Sequence, residues 1–401
     1  MDQELDAIRG YRRVPTASPG QWLYLFAKEG LVYSEDQNRF AGLDAAGVSA
    51  YLALESGVTI DELRRVTHKN SRGPAADDGL KAIEALTQGV FPTEETPNEL
   101  FTLGFARLNH SGAGDSKTEN IEIGGIPVLL EYPSGQLERL CRDYFQHCPP
   151  TGRPPRCHLC ARCAETGWAI YVNGRKLLSL AREEQLGLGL MHAARTMLYA
   201  EADYDVAFHA AAVAHEDCAV LLCAPRECGK STLSAYLVAC GFDLLTDEPA
   251  LLALDSCTVS ALPLPISLKE GSWTPLQQQT PQFSCGPVHV RSDGLWILLA
   301  HPSAERRTGQ DRRLRHILFP KYQASSSCRS QRLTPLRTFE LLNKGGMLLA
   351  KDLGRDKFED LLALICRIRA DEIQYGSLEE TWRLLPELGC AMPDQVRHNL
   401  H

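Results

Sequence analysis

The sequence predicts an α/β protein built around a P-loop domain, with a small α+β, winged-helix-like domain in front of it. Three observations lead there. A short apolar run, Ala219 to Cys223, is followed at once by Ala224-Pro-Arg-Glu-Cys-Gly229-Lys230-Ser231, a G-x-x-x-x-G-K-[ST] pattern with alanine in place of its first glycine. A helical stretch, Ser231 to Cys240, comes next and ends at Gly241. A second apolar run, Phe242 to Leu245, then leads into Asp247 and Glu248.

The chain has 401 residues, a formal net charge of −8 and 44% hydrophobic residues. That length predicts two or three domains with real cores. The acidic balance gives no reason to expect a nucleic-acid partner. No apolar run reaches 18 residues, so no membrane span is expected. The first residues, MDQELDAIRGYRR, carry early acids and no apolar h-region, which argues against a secretory signal and makes the cytoplasm the expected compartment. A homo-oligomer is left open.

In chain order, residues 1–92 predict the small domain. Trp22 to Phe26 and Leu31 to Tyr33 read as strands, and Glu35 to Asn38 as a polar turn. Asp44 is placed to cap a helix ending near Gly57, and Thr59 with Glu62 forms a capping box for the next one. Phe91 to Asn98, rich in proline and acids, predicts a linker. The larger domain is expected over 100–390, with its core at 205–325. Phe101 to Leu108 predicts a strand, and Ser111 to Lys117 a polar loop with no helix behind it. Ile121 to Tyr132 predicts a hairpin around Gly124-Gly125, and Leu137 to Phe145 a helix.

Fourteen cysteines are many for a chain expected in the cytoplasm. Cys218, Cys223, Cys240 and Cys366 lie in apolar runs and read as small buried hydrophobes. A Cys-rich loop is expected over 141–163, where Cys157, Cys160 and Cys163 stand at C-x₂-C-x₂-C spacing. With Cys148 as fourth ligand they suit a structural Zn²⁺; the same run also permits an iron–sulfur cluster, or plain thiols with no metal. Asn173-Gly174 predicts a tight hairpin between Trp168–Val172 and Lys176–Leu180, and Glu184 to Leu198 a helix.

Downstream, Leu262 to Trp273 reads as a proline-punctuated stretch ending in a cationic, aromatic loop. Leu295 to Ala300 and Ile317 to Phe319 predict buried strands. Five arginines between Glu305 and Arg315 read either as a solvated loop or as a lid over phosphate or an acidic substrate. Helices are expected from Thr334-Pro335, over Asp356 to Ala370, and after a capping box at Ser377 to Glu380.

The chemistry concentrates around the loop. Backbone amides of Ala224, Arg226, Glu227, Cys228 and Gly229, with Lys230, Ser231 and Thr232, are the candidate cradle for ATP or GTP. Ser231 is the candidate Mg²⁺ ligand. Asp247 or Glu248 would take a proton from an acceptor hydroxyl or hold the metal; the residue types alone do not separate the two roles. His209 precedes the loop by 15 residues, and a hairpin of Ala210–Val213 with Ala219–Cys223 would fold it back to the phosphate end. A core histidine is the other reading.

Two resemblances attach to these residues. The strand pair, Gly42-Leu43-Asp44 and Val58 to Leu63 are similar to the PqqD-like peptide-recognition domains of ribosomal-peptide biosynthesis, which take a leader peptide as an added strand. His209, Gly229-Lys230-Ser231 and Thr246-Asp247-Glu248 resemble the catalytic domain of HPr serine kinase/phosphorylase. Leu264 to Lys269, Ile317 to Tyr322 and Leu333 to Leu336 further resemble the related kinases of peptide-modification clusters, the lasso-peptide kinases among them. The likeness spans roughly 120–390 and is strongest over 208–254. It implies a phosphoenolpyruvate-carboxykinase-like P-loop fold and phosphorylation of a serine hydroxyl, and the expected acceptor is a Ser or Thr hydroxyl of a peptide or protein. Asp247 would be the base, supported by His209, with Glu248 shifted towards the Mg²⁺. Ala224 and Cys228 depart from the family pattern, as does Glu248, which is one methylene longer than the usual aspartate. A nucleotide-gated peptide scaffold without kinase activity, or a kinase of a small hydroxylated metabolite, would fit the same residues.

Overall fold

The computed structural model describes residues 10–67, 74–88, 90–91, 116–225, 227–262, 264–277 and 283–381. Arg226, the expected linker from Pro92 onward, the expected strand Phe101–Leu108, most of the loop at 111–117 and the last helix beyond Thr381 lie outside them. The protein is mixed α/β and divides into two compact units. The first comprises Met1–Glu95, Leu333–Asn343 and Leu349–Arg369; the second comprises Thr96–Arg332, Lys344–Leu348 and Ala370–His401.

The first unit is a four-stranded antiparallel meander, Arg12–Pro15, Gln21–Phe26, Glu29–Ser34 and Arg39–Leu43, paired in chain order. Its second and third strands lack a clean polar/apolar alternation because both faces are covered. Leu23 and Val32 pack with Val48 and Tyr51 of the helix Ala45–Glu55. On the other face, Tyr33 stacks on Phe358 at 3.8 Å and Tyr24 tilts against it at 5.8 Å. Phe358 belongs to the helix Gly354–Arg367, and Phe339 of the helix Pro335–Lys344 meets Phe40 edge-on. These two helices, expected from the sequence to lie in the larger domain, therefore complete the first unit. Asp44 caps its helix through Gly47 N–H at 2.7 Å, and Thr59 and Glu62 form the reciprocal capping box.

The second unit contains three sheets. A five-stranded sheet runs in chain order through Ser116–Ile123, Ile126–Pro133, Cys157–Cys163, Trp168–Val172 and Arg175–Leu180. Its first and last turns are the expected Gly124-Gly125 and Asn173-Gly174, all four with positive φ, as a two-residue hairpin of matching twist requires. The helix Leu186–Glu201 packs on this sheet. Gly189 permits the approach, since a Cβ there would stand 2.8 Å from the Ile170 side chain.

A ten-stranded, largely antiparallel sheet carries the P-loop candidate. It places Asp243–Thr246, Ala210–His215, Cys218–Cys223 and Arg312–Tyr322 side by side. A three-stranded sheet of Ile266–Lys269, Trp296–Pro302 and Phe283–Val290 completes the unit. Two loop expectations are corrected. Arg312, Arg313 and Arg315 lie in the strand Arg312–Tyr322, and Arg306 donates to Gly241 O at 2.7 Å, so the arginine run forms no lid. The stretch after Lys269 is the helix Glu270–Gln277 rather than a loop.

Candidate active site

Three chain segments meet at one end of the large sheet, and register explains why. Ala210–His215 pairs antiparallel with Cys218–Cys223 on one side, Ala210 opposite Cys223, and antiparallel with Asp243–Thr246 on the other, Ala212 opposite Thr246. The two outer strands thus run the same way and deliver Ala224-Pro225, Glu227–Gly229 and Asp247-Glu248 to the same edge. The middle strand runs the opposite way, so its preceding residue, His209, lies at that edge too. This is the hairpin return anticipated from the spacing.

The loop from Ala224 passes into the helix Lys230–Ala239 through Gly229, whose φ is +88°. A Cβ at Gly229 would also stand 2.5 Å from the Tyr375 hydroxyl, so both backbone and surroundings require glycine. Neither Ala224 nor Cys228 has a positive φ, and their departures from the glycine pattern strain nothing; Glu227 alone among the loop's described non-glycine residues does, at +69°. Glu227 is exposed and pairs with Lys269 at 3.1 Å. The Lys230 ammonium curls back to the carbonyl oxygens of Ala224 and of Pro225, the latter at 3.1 Å. Burial lowers its pKa, against the pull of Cys223, Glu248 and Asp247. Thr232 turns away to hydrogen-bond Ser272 at 2.7 Å.

The two carboxylates behave differently. Asp247 is buried, and its Oδ2 accepts from Ser267 N–H at 3.0 Å. Its Oδ1 is buried without a hydrogen-bond partner, while the Ser231 hydroxyl stands near enough to favour the charged form. Burial nevertheless raises the Asp247 pKa, against the opposing pull of Arg195. Glu248 has both oxygens engaged, Oε1 with His209 Nδ1 and Oε2 with Arg195 Nη1 at 2.9 Å. Burial alone would raise its pKa, but Arg195 and His209 outweigh it and hold the carboxyl down at about 2. Glu248 is therefore neither a strong base nor an open metal ligand, and the expected magnesium role does not suit it. The open carboxylate oxygen belongs to Asp247.

Arg195 escaped the sequence reading. It lies mid-helix in Leu186–Glu201, 53 residues before its partner Glu248, and also donates to Ser267 Oγ at 3.3 Å. One signal was available: an arginine in a helix otherwise rich in Leu, Gly, Ala and Met needs an acidic partner.

The four cysteines expected to share a metal do not converge. Cys157–Cys163 is a strand, and alternate residues of a strand face opposite ways, so Cys160 points away from Cys157 and Cys163. Cys148 and Cys157 are buried in the apolar core beside the helix Leu186–Glu201, and Cys163 is exposed. Among the described residues, the grouped ligand atoms are those of Glu131, His158 and Cys160. No described helix is long and apolar enough to cross a membrane. Comparison with protein-family models and with curated proteins gave no match.

Proposed function

We propose that the chain is an ATP- or GTP-dependent kinase that phosphorylates a Ser or Thr hydroxyl of a peptide or protein, in the manner of the HPr-kinase-like proteins it resembles. The observation that carries this reading is the buried Oδ1 of Asp247, without a hydrogen-bond partner and beside Ser231, at the sheet edge that also holds the loop and His209. A strand–loop–helix whose lysine folds back to the loop's carbonyl oxygens suits a phosphate chain, which loop amides and a helix N-terminus would cradle. Ser231 is the residue that would hold Mg²⁺, which when bound neutralises charge on the transferring phosphate. Asp247, its proton affinity raised by burial, takes the proton of the acceptor hydroxyl. Glu248, fixed by Arg195, holds His209 at the edge of the site. A nucleotide-gated scaffold without kinase activity is the other reading of the same residues; Ala224 and Cys228, which depart from the glycine pattern, take no positive φ.

The substrate class rests on the first unit. Its edge strands, Arg12–Pro15 and Arg39–Leu43, each pair on one side only within the four-stranded sheet, which suits addition of a peptide strand. Mass spectrometry of a serine-containing peptide library incubated with the protein, ATP and Mg²⁺ tests the proposal. Single-phosphate adducts on a subset of peptides support it. Adducts only on small hydroxylated metabolites offered in parallel would replace the peptide by a metabolite acceptor.

A further inference from the structure

We infer that Glu131, His158 and Cys160 form a binding site for one divalent transition-metal ion of the zinc type, apart from the nucleotide chemistry. Glu131 and Cys160 are direct partners in the parallel pairing of Ile126–Pro133 with Cys157–Cys163. His158 and Cys160 are two residues apart on one strand and so share a face. The opposite face of the same two strands, through Val128, Leu130, Cys157, Leu159 and Ala161, enters the apolar core. The polar face is nonetheless closed to solvent: Glu131, His158 and Cys160 are all 1% exposed or less.

One carboxylate oxygen, one imidazole nitrogen and the sulfur lie within 4.8 Å of one another. His158 Nε2 and Glu131 Oε2 are 3.1 Å apart. Tetrahedral zinc, with bonds of about 2.0–2.1 Å to nitrogen and oxygen, holds such neighbours about 3.3 Å apart, so the ion takes the place between them with little movement, the neutral imidazole carrying its proton on Nδ1 instead of Nε2. Arg162 holds the other oxygen, Oε1, at 2.8 and 3.2 Å and also reaches the Cys160 thiol, a contact the ion would take over. It thereby orients the carboxylate, as outer partners of metal ligands do. A thiolate and a carboxylate balance the charge of a divalent ion, and the Cys160 thiol proton leaves to solvent on binding. Three protein ligands leave one position of a tetrahedral ion for a non-protein ligand.

The test is cobalt titration of the full-length protein after treatment with a chelator. The expected result is one equivalent of Co²⁺ bound, with a thiolate-to-cobalt charge-transfer band and strong tetrahedral d–d absorption, both abolished by added Zn²⁺. Cys160→Ser should lose the charge-transfer band, and Cys163→Ser, an exposed thiol on the same strand, should keep it. His158→Gln should weaken binding at least tenfold by about the cost of losing a ligand or its support. Should Cys160→Ser not fold, by circular dichroism, His158→Gln and Cys163→Ser carry the comparison. Absence of a cobalt spectrum in the wild type, its persistence in Cys160→Ser, or its loss in Cys163→Ser overturns the site.

Discussion

Arg195 Nη1 donates to Glu248 Oε2 at 2.9 Å, tying the middle of a helix on the five-stranded sheet to the bend that follows the strand Asp243–Thr246 of the ten-stranded one. The pair is mostly buried, with 13% and 18% of the side chains exposed. Removing one partner leaves the other charge poorly solvated, which costs more than the pair itself contributes.

Arg195→Met should therefore destabilise the protein by about 3 kcal/mol in urea unfolding. Adding Glu248→Gln to that background should recover much of the loss, because the stranded charge is gone. Additive losses in the double variant would show that the two residues do not interact.

Stability should fall at low pH through Glu248. Its folded pKa, about 2, lies below the ordinary 4.5, so its contribution is fully present above pH 4.5 and is lost as pH drops towards 2. The shift corresponds to about 3 kcal/mol across that window. Glu248→Gln should flatten this part of the pH–stability curve measured by denaturant midpoint.

Asp247 works in the opposite sense. Burial raises its folded pKa above 3.8, so ionising it weakens the fold as pH rises. Asp247→Asn should accordingly raise the melting temperature at neutral pH. In the wild type, kcat/KM should show an acid limb above the ordinary aspartate range, and a limb near pH 2 would assign the base to Glu248 instead.

The two loop positions should respond differently to substitution. Gly229→Ala meets both the Tyr375 hydroxyl and a φ of +88°, and should cost about 1–2 kcal/mol with loss of nucleotide affinity. Ala224→Gly relieves no positive φ and should lower stability by less than about 1 kcal/mol, leaving affinity unchanged in calorimetry. A tighter nucleotide complex in Ala224→Gly would mean that the alanine does restrict the loop.

Local patterns were legible in the sequence where they set their own geometry. The Asp44 cap, the Thr59–Glu62 box, both two-residue hairpins and the return of His209 to the loop all follow from neighbours in the chain. What failed was the reading of residues whose environment comes from far away. Cys157–Cys163 has metal-like spacing, but pairing with Ile126–Pro133 makes it a strand and turns Cys160 from its neighbours. Arg195 gains its role from Glu248, Asp247 and Ser267, all more than fifty residues away, and the helices at 335–344 and 354–367 join the first unit through Phe339 and Phe358. The roles of Asp247 and Glu248 likewise depend on which oxygens their distant partners occupy.

Asp247 as proton acceptor is put to the test by quantifying phosphate transfer and ATP binding side by side in Asp247→Asn. The substitution keeps the shape of the side chain and an acceptor for Ser267 N–H. The variant should bind ATP within about threefold of wild type by calorimetry, while transfer of phosphate to a peptide that the wild type phosphorylates should fall at least about a hundredfold, the size expected when a positioned base is lost. Transfer at the wild-type rate would contradict it.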